Sequence, residues 1–307
     1  MPYGPVPSEE TCAKWLAAQG IPAAPSYLEW YRCKPDFAEV EYRYPLRRED
    51  RLAITPANVK AATQEQVDQI YARLTAGPIP HGTFQVHLFQ ALGTADLTTL
   101  ARVLAPLDGA KGQHLAALLS RVDPVEFGTQ VWRAKVFDRP HQVVRTKIPR
   151  KPEDRLPGLL VMLEPLLGSP LAKVPVTALD TPDAWQVFPA KVYCGESLLD
   201  GRRESLILDY AFSHQVEGYR QALDSLMGPR GLHVREEIRL VRPGFYLGRV
   251  YMGRLFVMNL VLYSQVQDER DTQAFVETGV VQESCDLGSQ LREVQRPRAL
   301  TSGSPPR

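Results

Sequence analysis

Arg235, Glu237 and Arg239 occupy every second position of one apolar-rich segment, with Glu236, Ile238 and Leu240 between them. On a β-strand this spacing puts the first three on one face and the second three on the other. Arg203 and Arg249, with the acids Asp200 and Asp209, fall in neighbouring segments of the same kind. A guanidinium turned into a cavity clamps a carboxylate or phosphate by parallel hydrogen bonds. Tyr193, Arg203, Asp209, Arg235, Glu237, Arg239 and Arg249 therefore form the candidate ligand-binding set. An enzyme could use the same groups, with Tyr193 as acid or hydrogen-bond donor, Asp209 or Glu237 as base, and Arg203 or Arg239 as anion stabiliser. The alternation also fits a solvated strand face laced with cross-strand ion pairs. The choice between these readings turns on which face is enclosed.

Other chemistry is sparse. The six histidines fall in no metal-ligand spacing, and no metal or cofactor is expected. His87 sits on the polar parity of its segment. There is no P-loop, G-x-G-x-x-G or G-x-S-x-G, and Gly195-Glu196-Ser197 is only a fragment of the last. None of the four cysteines, Cys12, Cys33, Cys194 and Cys285, forms a C-x-x-C pair. Cys12 and Cys33 are spaced for a bridge in an exported protein, but a core this large needs no staple, which favours buried thiols. Residues 133–151 carry seven Lys and Arg against Asp138 alone. This stretch reads as a solvated basic surface. Its aromatics, Trp132 and Phe137, read as core residues rather than a base-stacking platform, so no nucleic-acid partner is expected.

These groups sit in a chain of 307 residues with 44% apolar residues and nearly balanced charge, 36 Lys+Arg against 35 Asp+Glu. The balance excludes a chain that is basic throughout for nucleic acid or acidic throughout for disorder. Helix signals dominate the first part. Ser8 caps a helix to Gly20, Thr55-Pro56 starts another, and Thr63 to Gln66 is a capping box for a third that ends at Gly77. Two more helices are expected over 94–107 and 111–121, and one over 159–167 interrupted by Pro165. Period-two patterns mark strands at 83–89 and 130–137, and again at 187–193, 204–212, 232–241, 245–251 and 255–263. Asp200-Gly201, Pro243-Gly244 and Met252-Gly253 punctuate the later ones, as in an antiparallel meander.

The start of the chain has no secretory leader pattern. The longest apolar stretch, Leu255 to Tyr263, is too short for a membrane helix. A cytoplasmic location is the default, with an exported mature form left open.

Lys191 to Arg203 resembles a core motif of bacterial GxWxG-type, lipocalin-like (calycin-like) domains, M-x-Y-D-x-x-P-I-x-D-x-F-R. Tyr193, Asp200 and Arg203 match, while Cys194, Ser197 and Arg202 depart from it. The upstream G-x-W-x-G-K-x-F is echoed by Gln130 to Phe137, with Trp132, Lys135 and Phe137 kept and both glycines lost. Phe245 to Val250 is similar to the strand that follows. The resemblance spans about residues 77–145 and 185–265. It implies a β-barrel that holds an apolar small molecule or lipid.

The expected architecture is α+β. A helical, irregular layer (1–76) packs on a barrel or curled meander (77–295) with an insertion near 94–121, a linker near 149–183 and a disordered tail (296–307). The expected function is non-catalytic binding of a hydrophobic or amphipathic, lipid- or fatty-acid-like molecule. The alternatives are an isomerase or cyclase acting on a lipid-like or polyketide-like substrate, and an interaction module around Trp15. The sequence leaves the oligomeric state open.

Overall fold

The structure, a computed structural model, describes residues 44–91, 132–150, 176–201, 203–282 and 285, with the single positions 41, 117, 125 and 129. The helices expected near 9–19, 94–121 and 159–167, the pair Cys12 and Cys33, and the tail lie outside them.

Three short helices come first: α1 (Arg48–Ala53), α2 (Pro56–Lys60) and α3 (Gln64–Ala72). Two start as the sequence requires. Thr55 Oγ1 accepts from Asn58 N ahead of Pro56, and Thr63 Oγ1 accepts from Gln66 N while Gln66 Oε1 accepts from Thr63 N. Eight strands follow: β1 (Gly82–Phe89), β2 (Ala134–Asp138), β3 (Val143–Pro149), β4 (Ala184–Glu196), β5 (Glu204–Asp209), β6 (Val234–Arg242), β7 (Phe245–Met252) and β8 (Leu255–Tyr263). Each pairs antiparallel with its successor, and β1 pairs with β8, so the sheet closes into a barrel. Closure leaves no free edge. The helix α4 (Gln221–Asp224) lies between β5 and β6, and α5 (Gln265–Thr278) follows β8.

One apolar cluster takes alternate residues from all eight strands, among them Phe84, Phe137, Val144, Trp185, Leu206, Ile238, Tyr246 and Leu260; this is the barrel interior. A second cluster joins Val67, Ile70, Tyr71 and Leu74 of α3 to Phe89, Leu247 and Val261 on the outer face of β1, β7 and β8. The helical layer therefore covers part of the barrel wall. Midway along the barrel the interior is tightly filled. A Cβ on inward-facing Gly248 would come within 2.8 Å of Ile238 Cγ2 and 2.7 Å of Glu237 O. At the β6–β7 turn, Gly244 adopts φ +76°, and a Cβ there would run into Asp268 N, so the turn needs glycine.

Four elements differ from the expectation. β3 falls inside the stretch read as a basic surface, because its charged residues alternate with buried Val144, Thr146 and Ile148. The strand expected to reach Phe212 stops at Asp209, whose carboxylate accepts from Ala211 N at 2.8 Å and starts a tight helical turn over Tyr210–Gln215. α5 was not expected, since its single buried side chain, Phe275, leaves no apolar stripe to read. Trp132 precedes β2 rather than lying on it, and it packs against the interior cluster that holds Phe137.

Candidate functional site

Parity decides where the charged residues go. Arg239 pairs with Leu247 and Leu247 with Val261, while Ile207, Glu237, Arg249 and Asn259 form the adjacent row. Both rows face outward. Arg235, Glu237, Arg239 and Arg249 therefore lie on the outer wall, not in the cavity that the ligand-clamp reading needs, and three of the four are buried, not solvated as the alternative has it.

The helical layer and a loop enclose them. Arg239 donates from Nε to Ser205 Oγ at 2.9 Å and from Nη1 to Tyr71 O at 3.1 Å, and its guanidinium lies 4.6 Å over the Tyr71 ring. Burial lowers its pKa and pushes the Tyr71 phenol up to about 12. Arg249 pairs with Asp68 of α3, donates to Tyr251 Oη at 2.9 Å and stacks 4.0 Å over Phe256. Gln64 and Asn259 extend this network. Glu237 accepts from Ser197 Oγ, Leu198 N and Arg235 Nε. Arg203 donates to Ala72 O and Leu74 O and pairs with Glu41. Tyr193 donates to Asp209 Oδ2 at 2.6 Å, and burial, then the Asp209 bond, push its phenol to about 12. These contacts fasten the helical layer, the β4–β5 loop and the barrel wall together. The acid, base and anion-stabilising roles read for Tyr193, Asp209, Glu237, Arg203 and Arg239 thus fall on the outside of the barrel.

The other parity carries a different group. Lys135 on β2, Tyr210 just after β5 and Glu236 on β6 point into the lumen among apolar side chains. Lys135 Nζ donates to Tyr210 Oη at 2.7 Å and stands 2.9 Å from Glu236 Oε1. Tyr210 Oη donates to the same Glu236 Oε1 at 2.9 Å. Burial, then the Glu236 charge, raise the Tyr210 phenol well above its usual range, so it remains a neutral donor. Both partners meet one carboxylate oxygen. Among the described residues, Glu236 Oε2 and the Trp185 indole N–H have no hydrogen-bond partner, and Thr146 Oγ1 lies beside the Tyr210 phenol without a well-formed bond to it. A buried carboxylate oxygen without a donor costs several kcal/mol by itself, so an orphaned one invites a partner. Sequence reading missed this cluster. Lys135 was counted in the basic surface, although its i, i+2 relation to Phe137 put both on one face, and Glu236 was assigned to the apolar parity and passed over.

The cluster sits toward the end of the barrel where β6 begins. Leu223, Leu226, Met227 and Leu232 close part of this end. Leu88 and Glu236 are buried here, at 7% and 6% exposed, while Trp132, Met252 and Leu255, packed against the interior cluster, are half-buried. The midbarrel residues Ile238 and Leu260 are fully covered. A cleft of about 440 Å³ lies at the opposite end, between the 78–81 turn, α5 and residues 280–282. Its Arg270 is already paired with Asp271 and its Arg139 donates to Ile79 O.

At that same end the chain is covalently fastened. Cys194 on β4 and Cys285 form a disulfide, and Cys285 is buried against the interior cluster. The described residues hold no free cysteine and no His, Cys, Asp and Glu cluster suited to a metal. None of their helices is long and apolar enough to cross a membrane.

No protein-family model matches this sequence, and no curated protein does. Among solved structures, a crystal structure of a protein from Thermomonospora curvata is similar at 16% identity and a TM-score of 0.32, over 71% of this chain and 98% of that one.

Proposed function

We propose that the barrel binds a hydrophobic or amphipathic small molecule without chemical turnover. The molecule's apolar body rests on Leu88, Val250, Met252 and Met258 and its polar end meets Lys135, Tyr210, Thr146 and Glu236. The observation that carries this reading is the orphaned Glu236 Oε2, whose carboxylate meets two partners on its other oxygen alone, among apolar side chains with half-buried Met252 and Leu255 at the same end of the barrel. Ligand sites of this type are mostly apolar with a few convergent polar groups. The filled middle of the barrel separates this site from the cleft at the opposite end. The Cys194–Cys285 disulfide supports an oxidising setting, which favours the exported alternative over the cytoplasmic default.

The test is retention and displacement. Protein folded with its disulfide intact is titrated with Nile red, a neutral dye that brightens in apolar surroundings. Saturable binding that a medium-chain amphiphile displaces supports the proposal. Absence of saturable binding overturns it.

A further inference from the structure

We infer that the polar end of the ligand is an uncharged hydrogen-bond donor, a hydroxyl, rather than the carboxylate of a fatty acid. This rests on the proposed lumen site and specifies its chemistry. Lys135 and Glu236 already form a buried ion pair, with side chains 2% and 8% exposed. The unmet atom is a carboxylate oxygen, which only accepts. A ligand carboxylate brings more acceptors and a second negative charge against it. An amine supplies donors but leaves a buried net positive charge. Either ion would be held unbalanced in a low-dielectric interior.

A hydroxyl donates its proton to Glu236 Oε2 and leaves the charge of the pair unchanged. Its lone pairs stay open to a further donor. Thr146 Oγ1 can donate or accept, and the Trp185 indole N–H can only donate. Tyr210 turns no free proton toward the ligand, because its O–H is directed to Glu236 Oε1. No arginine of the candidate set is therefore available in the lumen to a carboxylate; each lies on the outer wall.

The experiment compares decanol with decanoic acid at neutral pH, each displacing Nile red from the oxidised protein, with circular dichroism recording the fold. The inference predicts that decanol binds more tightly by about tenfold or more, the size of one lost hydrogen bond to a buried charge. Glu236→Gln puts an amide N–H where Oε2 stood and leaves Lys135 without its counter-ion, so the preference should reverse toward decanoate. Thr146→Val keeps the shape and removes a hydroxyl that lies outside the Lys135–Glu236 ion pair. It should fold normally and weaken decanol without helping decanoate, which keeps the test decisive if Glu236→Gln does not fold. Equal binding of both probes, or tighter decanoate, in the wild type overturns the hydroxyl assignment while leaving the lumen site standing. No displacement by either probe overturns the lumen site itself.

Discussion

Replacing Lys135 with methionine removes one charge of a pair that has almost no contact with water. Methionine keeps the length and apolar stem, so the lumen stays filled. Glu236 then holds its charge with the Tyr210 hydroxyl as its one remaining donor from the cluster. Breaking a buried pair from one side costs about 3–5 kcal/mol. Glu236→Met leaves Lys135 with Tyr210 Oη and should fall in the same range. The double variant Lys135→Met/Glu236→Met carries no buried charge in the cluster. It should lie within about 1 kcal/mol of wild type or exceed it, since well-packed apolar replacements of buried pairs are commonly neutral or stabilising. The coupling between the two sites is then several kcal/mol, well above the scatter of independent sites. Urea unfolding of the oxidised protein, followed by tryptophan fluorescence at constant m, measures all four corners of the cycle. Additive losses, with the double variant as unstable as the sum of the singles, would refute the ion pair. A stable double variant that no longer binds decanol would show that the pair is kept for binding rather than for stability.

Three further outcomes are expected. Arg249→Met leaves Asp68 on α3 without its counter-charge and should cost about 3–5 kcal/mol, with α3 losing hydrogen-exchange protection first. Cys285→Ser opens a cross-link spanning 91 residues and should lower stability by up to about 4–5 kcal/mol, and dithiothreitol should do the same to the wild type and nothing to the variant. Burial raises the Asp224 carboxyl to about 6, even though it accepts from Phe188 N and Arg220 N. An unfolded aspartate titrates near ~3.9, so between those values the native state binds more protons. The Asp224 contribution is therefore fully present below about pH 4 and is lost, by about 3 kcal/mol, as pH rises through about 6; Asp224→Asn should remove that part of the urea-midpoint profile.

The barrel was largely legible because its later strands alternate and their turns carry Asp-Gly, Pro-Gly and Met-Gly. The cap at Thr55-Pro56 and the capping box at Thr63 announced α2 and α3. β3 was hidden by its own charges: Arg145 and Lys147 drew attention to a surface, while the inward set Val144, Thr146 and Ile148 carried the strand signal. The site inverted for a related reason. Period-two reasoning separates two faces but does not say which is inside, and both faces of β6 are buried, one by the lumen and one by the helical layer. Arginine looked like the ligand clamp, yet a guanidinium with many donors also suits a wall that must bind the backbone carbonyls of a helix end, as Arg203 and Arg239 do. The Cys194–Cys285 pair was invisible because its partners meet only once the barrel has closed.

The lumen site is tested most directly by filling it. Val250→Trp places an indole on the inner wall beside Glu236, its cross-strand neighbour on β6. Nile red titration of wild type and variant, both oxidised and both with barrel circular dichroism, compares the two states. The account predicts saturable binding by the wild type, displaced by decanol, and its loss in the variant. Binding that survives Val250→Trp unchanged would place the ligand elsewhere and contradict the account.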